Sequence, residues 1–306
     1  MRGWLRARRP YLVVRPVKGL ANRMRGVTSG LAVARALGLR FAIHWDAGPG
    51  FSTERFQELF ANDFELWDQE RYAQALAGGA PVVSRWLGWK DAVPPAPDFE
   101  PRRALREIRR RGLVYDHAFH DLDRMLDWRG VPRLRAIRRE RRRCCRELAP
   151  AAPIAARVDA FAREHFAGRP VVGVHVRRGD ALASRRAEQH RVSSDEAFAE
   201  AMAAEVARDP AVRFFLSTDC EKTQRAFAER FPGRVVFTPK EFPESVLDAP
   251  KRGQADALVD MLLLSRTRYV LGTHASTFGL MAAKLSGIRF RPAGGQSRRS
   301  SASLSR

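Results

Sequence analysis

The chain has 306 residues, 45% hydrophobic and 9% aromatic, which suits one large domain or two of ordinary size and excludes a disordered composition. Its formal charge of +21 predicts anionic partners: a nucleotide's phosphates, acidic lipid head groups or nucleic acid. No apolar run reaches the ~20 residues that cross a bilayer, because the best one, 255–283, is broken by Asp256, Asp260, Arg266, Arg268 and His274.

In chain order, the basic opening MRGWLRARRP lacks the apolar core of a signal peptide, so export by that route is not expected. Tyr11–Pro16 reads as a short buried strand, followed by a glycine-containing turn, GLANRMRG, into a helix over 22–37. Val27, Leu31, Ala34 and Leu37 share one face of that helix and Gly38 stops it. Arg40–Trp45 is the next expected strand, completing a βαβ unit. From 46 to 100, Phe56, Leu59, Phe60, Phe64, Leu66 and Trp67 point to a helix and an apolar patch, with a proline-rich loop at 94–101. The topology of that segment is not legible.

Residues 101–150 hold sixteen basic side chains against seven acidic, and 134–148 has a helical stripe of Leu134, Ile137, Cys144 or Cys145, and Leu148 with arginines elsewhere. Arginine forks suit phosphates, but a GC-rich coding bias gives the same excess. Three cysteines, two of them adjacent, with no CxxC pair, argue against a thiolate zinc site and for a reducing, cytoplasmic compartment. Asp121-Leu122-Asp123 is a DxD triplet of the kind that binds manganese, although Leu122, Met125 and Leu126 read as a helix there; no metal is expected. Ala149–Pro153 is the best linker candidate.

The second half alternates regularly. Strands are expected at Val171–Val176, Val212–Ser217, Val235–Thr238 and Tyr269–Leu271. Helices are expected at Ser194–Arg208, opened by Ser193 with Glu196 three residues on, then at Glu221–Arg230, Ala255–Ser265 and Ser276–Leu285. Such alternation demands a parallel sheet covered on both faces, with ligands outside the C-terminal strand ends. The expected organisation is an α/β domain over 1–150, a nucleotide-binding α/β domain over 151–290 and a disordered basic tail over 291–306.

Polar residues collect at those strand ends: His175, Arg177, Arg178 and Asp180 after the first, Thr218 and Asp219 after the second, and 272–277 after the last. A helix opening at Ser276 and Thr277 would present free N–H groups to a phosphate, and two arginines could neutralise a diphosphate without a metal. Each also has a plain reading. Arg178 and Asp180 could be a salt-bridged turn, Ser276 an ordinary N-cap and His175 a satisfied core histidine.

Four blocks in order, GLANRMRGVTSGLAVARALGLRFAIHW, GVHVRRGD, FLSTD and ALVDMLLLSRTRYVLGTHASTFGLMAA, resemble the alpha-1,6-fucosyltransferase and nodulation-fucosyltransferase superfamily. That resemblance implies an inverting, metal-independent glycosyltransferase of GT-B-like fold, two Rossmann-like domains with parallel sheets facing across a cleft, moving fucose from GDP-fucose to a glycan acceptor with no cofactor. It implies guanine contacts for His175 and Asp260, the β-phosphate for Arg177 with Arg178 and Asp180 in the same catalytic motif, phosphate contacts for Ser276 and Thr277, an acidic position at the nucleotide for Asp219, and an acceptor cleft at Asn22 and Arg23. The relatives' lysine and glutamate after the arginine motif are Ala181 and Arg185 here, so Glu188, Asp180 and Asp219 stay open as acceptor base. Peripheral contact with the inner face of an anionic membrane fits the basic segments. The competing readings are another nucleotide sugar and a basic nucleic-acid-binding protein; specific nucleic-acid binding is not expected, because Arg133–Arg146 contains no stacking aromatic.

Overall fold

The strand β1 (Tyr11–Pro16) is buried on both faces, with Leu12 and Val14 in one apolar cluster and Val13 in another, as a central parallel strand requires. The computed structural model describes residues 9–47, 54–79, 81–83, 100–130, 137–178, 191–242 and 253–294. They divide into two units, Met1–Ala156 with Pro250–Leu258, and Arg157–Ala249 with Val259–Arg306.

In the first unit, α1 (Leu20–Leu37) starts two residues before the expected Asn22, behind Gly19, and ends at Gly38, whose left-handed φ of 71° lets its N–H reach Ala34 and Arg35 carbonyls. Gly30 lets α1 lie close on the sheet, since a Cβ there would stand 2.4 Å from Val14 Cγ2. The strand β2 (Arg40–Ile43) is shorter than expected: the His44 N–H still bonds the Val14 carbonyl, but Trp45 turns away to pack edge-on against Phe56. Then come α2 (Phe56–Leu59), β3 (Glu65–Leu66), α3 (Gln69–Ala77), α4 (Pro101–Arg111), β4 (Leu113–Ala118), α5 (Leu122–Trp128) and α6 (Ile137–Glu147). The sheet order is β3-β2-β1-β4, all parallel.

In this unit the helix read over Leu122, Met125 and Leu126 is present as α5, whereas the linker reading of Ala149–Pro153 is not met. Asp121 and Asp123, each about 2% exposed, bind arginines: Arg141 Nη1 lies 2.9 Å from Asp121 and 3.0 Å from Asp123, and Arg25 Nε lies 3.0 Å from Asp121. The DxD triplet thus ties α1, α5 and α6 together. The Ala149–Pro153 stretch is no free linker: its backbone bonds Leu59 and Ala61 beside an antiparallel Phe60–Pro150 bridge, and Ala152 already opens α7 (Ala152–His165), a helix the prolines had hidden.

The second unit alternates as expected through β5 (Val171–Val176), α8 (Asp195–Arg208), β6 (Arg213–Thr218), α9 (Glu221–Arg230), β7 (Val235–Val236), α10 (Gln254–Ser265), β8 (Tyr269–Gly272) and α11 (Thr277–Ser286), and then adds β9 (Arg289–Pro292). The order is β7-β6-β5-β8-β9, again all parallel. Arg291 and Pro292, expected in the tail, pair with Leu271 and Gly272, and Ala293 is buried; the tail from 295 lies outside the described residues. Ser194, not Ser193, caps α8 through the Ala197 N–H. Ser193 is instead fully buried, its Oγ donating to the Ala293 carbonyl at 2.7 Å and accepting the His274 N–H at 2.8 Å.

Candidate functional site

The candidate site of the second unit is built from the C-terminal ends of β5, β6 and β8. His175, the penultimate residue of β5, sits in register with Ser217 on β6 and Gly272 on β8. Its ring stacks on Phe278 with centroids 4.7 Å apart and planes 16° from parallel. Gly279 lacks the side chain that would crowd this ring: a Cβ would stand 3.5 Å from His175 Nδ1 and 2.9 Å from Phe290 Cε2. Burial, then the charges of Arg177, Lys240 and Arg178, push the His175 pKa down to about 3. The imidazole is therefore neutral at ordinary pH. Nδ1 is buried with no hydrogen-bond partner among the described residues, a costly arrangement that a ligand could relieve.

Beyond His175 the chain turns into the arginine pair. The Arg177 N–H donates to Thr273 Oγ1 at 3.0 Å, fixing the turn to the loop after β8. The Arg178 N–H donates to Asp219 Oδ1 at 2.6 Å. Arg178's guanidinium is directed into the protein: Nε and Nη2 donate to Asp195 Oδ1 at 3.1 and 2.6 Å, Nη2 to the Ser193 carbonyl at 3.0 Å, and Nη1 to the Arg177 carbonyl at 2.9 Å. Arg178 is thus ion-paired with Asp195 at the start of α8, whereas the Arg178–Asp180 turn that the sequence allowed falls on residues outside the described ones. Asp180, Ala181, Arg185 and Glu188 lie outside the described residues.

Asp260, near the middle of α10, is 3% exposed. Its Oδ1 accepts from Thr238 Oγ1 at 2.5 Å, and its Oδ2 from Ser217 Oγ at 2.9 Å and Lys240 Nζ at 2.8 Å. Ser217 lies in the FLSTD block, but Thr238 and Lys240 carried no sequence signal beyond following a short strand. The loop after β8 holds Ala275 at φ 55°, an uncommon conformation for a residue with a side chain, and delivers Ser276 to the N-cap of α11. Ser276 is 5% exposed and its side chain makes no capping bond, so Thr277 opens a ten-residue helix whose first N–H groups lack that internal partner.

A sequence model of the family described as Nodulation protein Z (NodZ) matches residues 133–286. The chain belongs to the NodZ family. Among solved structures, NodZ alpha-1,6-fucosyltransferase soaked with GDP-fucose shares 24% identity, covering 90% of this chain and 92% of that one, with a TM-score of 0.59. Fucosyltransferase NodZ from Bradyrhizobium shares 24% identity over 90% and 92%, with a TM-score of 0.57. POFUT1 in complex with GDP shares 13% identity over 94% and 99%, with a TM-score of 0.61. No curated protein matches the sequence. This NodZ-family chain is a fucosyltransferase-like glycosyltransferase with a GT-B-like α/β fold.

The first unit of this NodZ-family chain carries a second polar cluster. Arg23 is fully buried, with Nε donating to the Lys18 carbonyl and Nη1 to the Asp46 carbonyl, both at 3.1 Å, and its guanidinium 4.6 Å from the Trp45 ring centre. Burial pulls its pKa down to about 10, which leaves it charged at neutral pH. Its Nη2 has no partner among the described residues. Asn22, half-buried, lies in the first turn of the same helix. Nearby, Arg15 bridges Asp46 at 2.8 Å and Asp116 at 3.3 Å, and His44 Nε2 lies 2.9 Å from Asp46. Although burial works against it, bonds from Tyr72, His117 and Arg15 hold the Asp116 carboxyl below its usual range. Sequence reading missed Arg15, His44, Asp46 and Asp116. The strand-end rule applied to this sheet would have found the first three, but β4 was not recognised as a strand.

Among the described residues no His, Cys, Asp and Glu group is arranged to hold a metal ion, and no helix is long and apolar enough to cross a membrane.

Proposed function

We propose that the protein transfers fucose from GDP-fucose to a hydroxyl of a carbohydrate acceptor, with inversion and without a metal ion. One observation carries the reading: a buried neutral imidazole with an unpaired Nδ1, a buried carboxylate and the N-terminus of α11 occupy the C-terminal ends of adjacent parallel strands, on a chain of the NodZ family. In this reading His175 and Asp260 contact guanine, while Ser276, Thr277 and the first N–H groups of α11 receive the phosphates.

Arg177 stabilises the charge that grows on the departing GDP as the glycosidic bond loosens, the work a metal would otherwise do. Arg178 is a positioning residue here, because its guanidinium holds the loop from which Arg177 projects. Asp219 stays open as acceptor base together with Asp180 and Glu188. Asn22 and Arg23, with the Arg15 and Asp46 pair, serve the acceptor. The exposed arginines of α4, Arg102, Arg103, Arg106, Arg109, Arg110 and Arg111, support peripheral contact of a cytoplasmic enzyme with anionic membrane.

The test is a thermal-shift series with GDP, UDP, ADP and CMP, followed by GDP release from GDP-fucose in the presence of glycan acceptors. Selective stabilisation by GDP, turnover in EDTA and a product of inverted anomeric configuration are expected. Equal response to all four nucleotides would refute the donor assignment.

A further inference from the structure

The contacts of Asp260 point to a residue that decides which base is accepted. A carboxylate offers about four lone-pair positions, two on each oxygen. Among the described residues, Oδ2 already accepts Ser217 Oγ and Lys240 Nζ, whereas Oδ1 accepts Thr238 Oγ1 alone. Guanine presents N1–H and N2–H as a parallel pair and needs one position on each oxygen. Oδ1 has room for one, and Oδ2 has none. One of the present donors must leave before the base can dock.

Ser217 is fixed in β6 opposite His175 and is 3% exposed, and Thr238 is 6% exposed. Lys240 is different: its side chain is 13% exposed, and its long flexible stem can swing the ammonium without moving backbone. The Lys240 charge also acts on His175, so the ammonium, Asp260 and the imidazole share one electrostatic neighbourhood.

We infer that Lys240 is a specificity-determining residue that holds the Asp260 Oδ2 position until the base binds and then moves onto guanine O6. This rests on the nucleotide reading of the site proposed above. O6 is adjacent to N1 on the guanine edge, so an ammonium leaving Oδ2 for O6 travels about the length of one hydrogen bond. Asp260 and Lys240 together then present two acceptors and a donor, the complement of guanine's two donors and one acceptor. Adenine reverses two of these groups: its amino group would face the ammonium, donor against donor, and its N1 lone pair would face the carboxylate. Hypoxanthine keeps O6 and N1–H but lacks the 2-amino group, so it separates what Lys240 reads from what Asp260 reads.

The experiment is calorimetric titration of the full chain with GDP, IDP and ADP, in wild type, Lys240→Met and Lys240→Gln. In wild type the order is GDP, then IDP, then ADP. In Lys240→Met, GDP and IDP both weaken by about ten- to a hundredfold, as expected for a lost bond from a charged donor, while ADP does not weaken. The GDP to ADP ratio falls and the GDP to IDP ratio stays. Lys240→Gln, whose neutral amide can face either base, gives the same loss of GDP to ADP discrimination and guards against a folding defect of the methionine variant.

If wild type prefers GDP but both variants keep the wild-type GDP to ADP ratio, Lys240 merely balances the Asp260 charge and the inference is overturned alone. If wild type shows no preference for guanine, the donor reading falls and the inference with it.

Discussion

Arg178 and Asp195 meet at 2.6 Å, and the same guanidinium reaches the Ser193 and Arg177 carbonyls. The two neighbouring arginines of the motif are thereby separated in role. Arg178→Ala removes several bonds from a charged donor that is 10% exposed and should cost about 1–3 kcal/mol of stability. A urea unfolding curve reads this directly, and unchanged stability would show that the loop does not depend on Arg178.

Arg177→Ala should leave the unfolding midpoint close to wild type while lowering kcat by about two orders of magnitude or more, because it removes charge needed in the transition state. Lysine at 177 should restore only part of the rate, since it lacks the planar fork. Steady-state kinetics with GDP-fucose checks both, and a fully active alanine variant would remove Arg177 from the mechanism.

His175 gives a pH signature of defined sign. Its folded pKa, about 3, lies below the ordinary value of 6.5, so the folded state binds fewer protons than the unfolded one. The neutral ring's contribution is complete above pH 6.5 and is lost as pH falls from 6.5 toward 3, at up to roughly 1.4 kcal/mol per pH unit. His175→Gln keeps a polar side chain without this titration. Urea unfolding at pH 7.5 and 5.0 should show wild type losing more stability than the variant on acidification; equal losses would place a titrating, accessible imidazole at 175.

The central strands of the second sheet, β5, β6 and β8, were legible in the sequence because they are short, almost wholly buried and separated by helices of ordinary period. Glu221–Arg230 and Val171–Val176 match residue for residue. The first unit was harder for physical reasons. β3 has only two residues, and the apolar run of β4 is interrupted by the adjacent polar pair Asp116 and His117. β9, which begins and continues with arginine, reads as tail until its backbone pairs with β8. At the candidate site, strand-end logic singled out His175, Arg177 and Asp219, which the structure places at the ends of β5 and β6. Lys240 gave no such signal and Thr238 only closed an expected strand, because their contacts exist only once α10 brings Asp260 against them.

Asp121 and Asp123 supply a prediction about metals. With both carboxylates bound to Arg141, added manganese should not raise the melting temperature, and EDTA should leave fucosyl transfer unchanged. Asp121→Ala should instead destabilise by about 1–3 kcal/mol, because it takes from buried Arg141 one of its two carboxylates and from partly buried Arg25 its ion pair, while Asp123 still holds Arg141. Loss of activity in EDTA with recovery in manganese would return the triplet to a metal-binding role.

The donor assignment is tested most directly by titration calorimetry of the intact protein with GDP-fucose, GDP, UDP and ADP in the presence of EDTA. Saturable one-to-one binding of GDP-fucose and GDP is expected, weakened about ten- to a hundredfold by Asp260→Asn, with affinity for UDP and ADP lower by at least a similar factor. Binding of UDP or ADP as tight as that of GDP, or GDP affinity unmoved by Asp260→Asn, would contradict it.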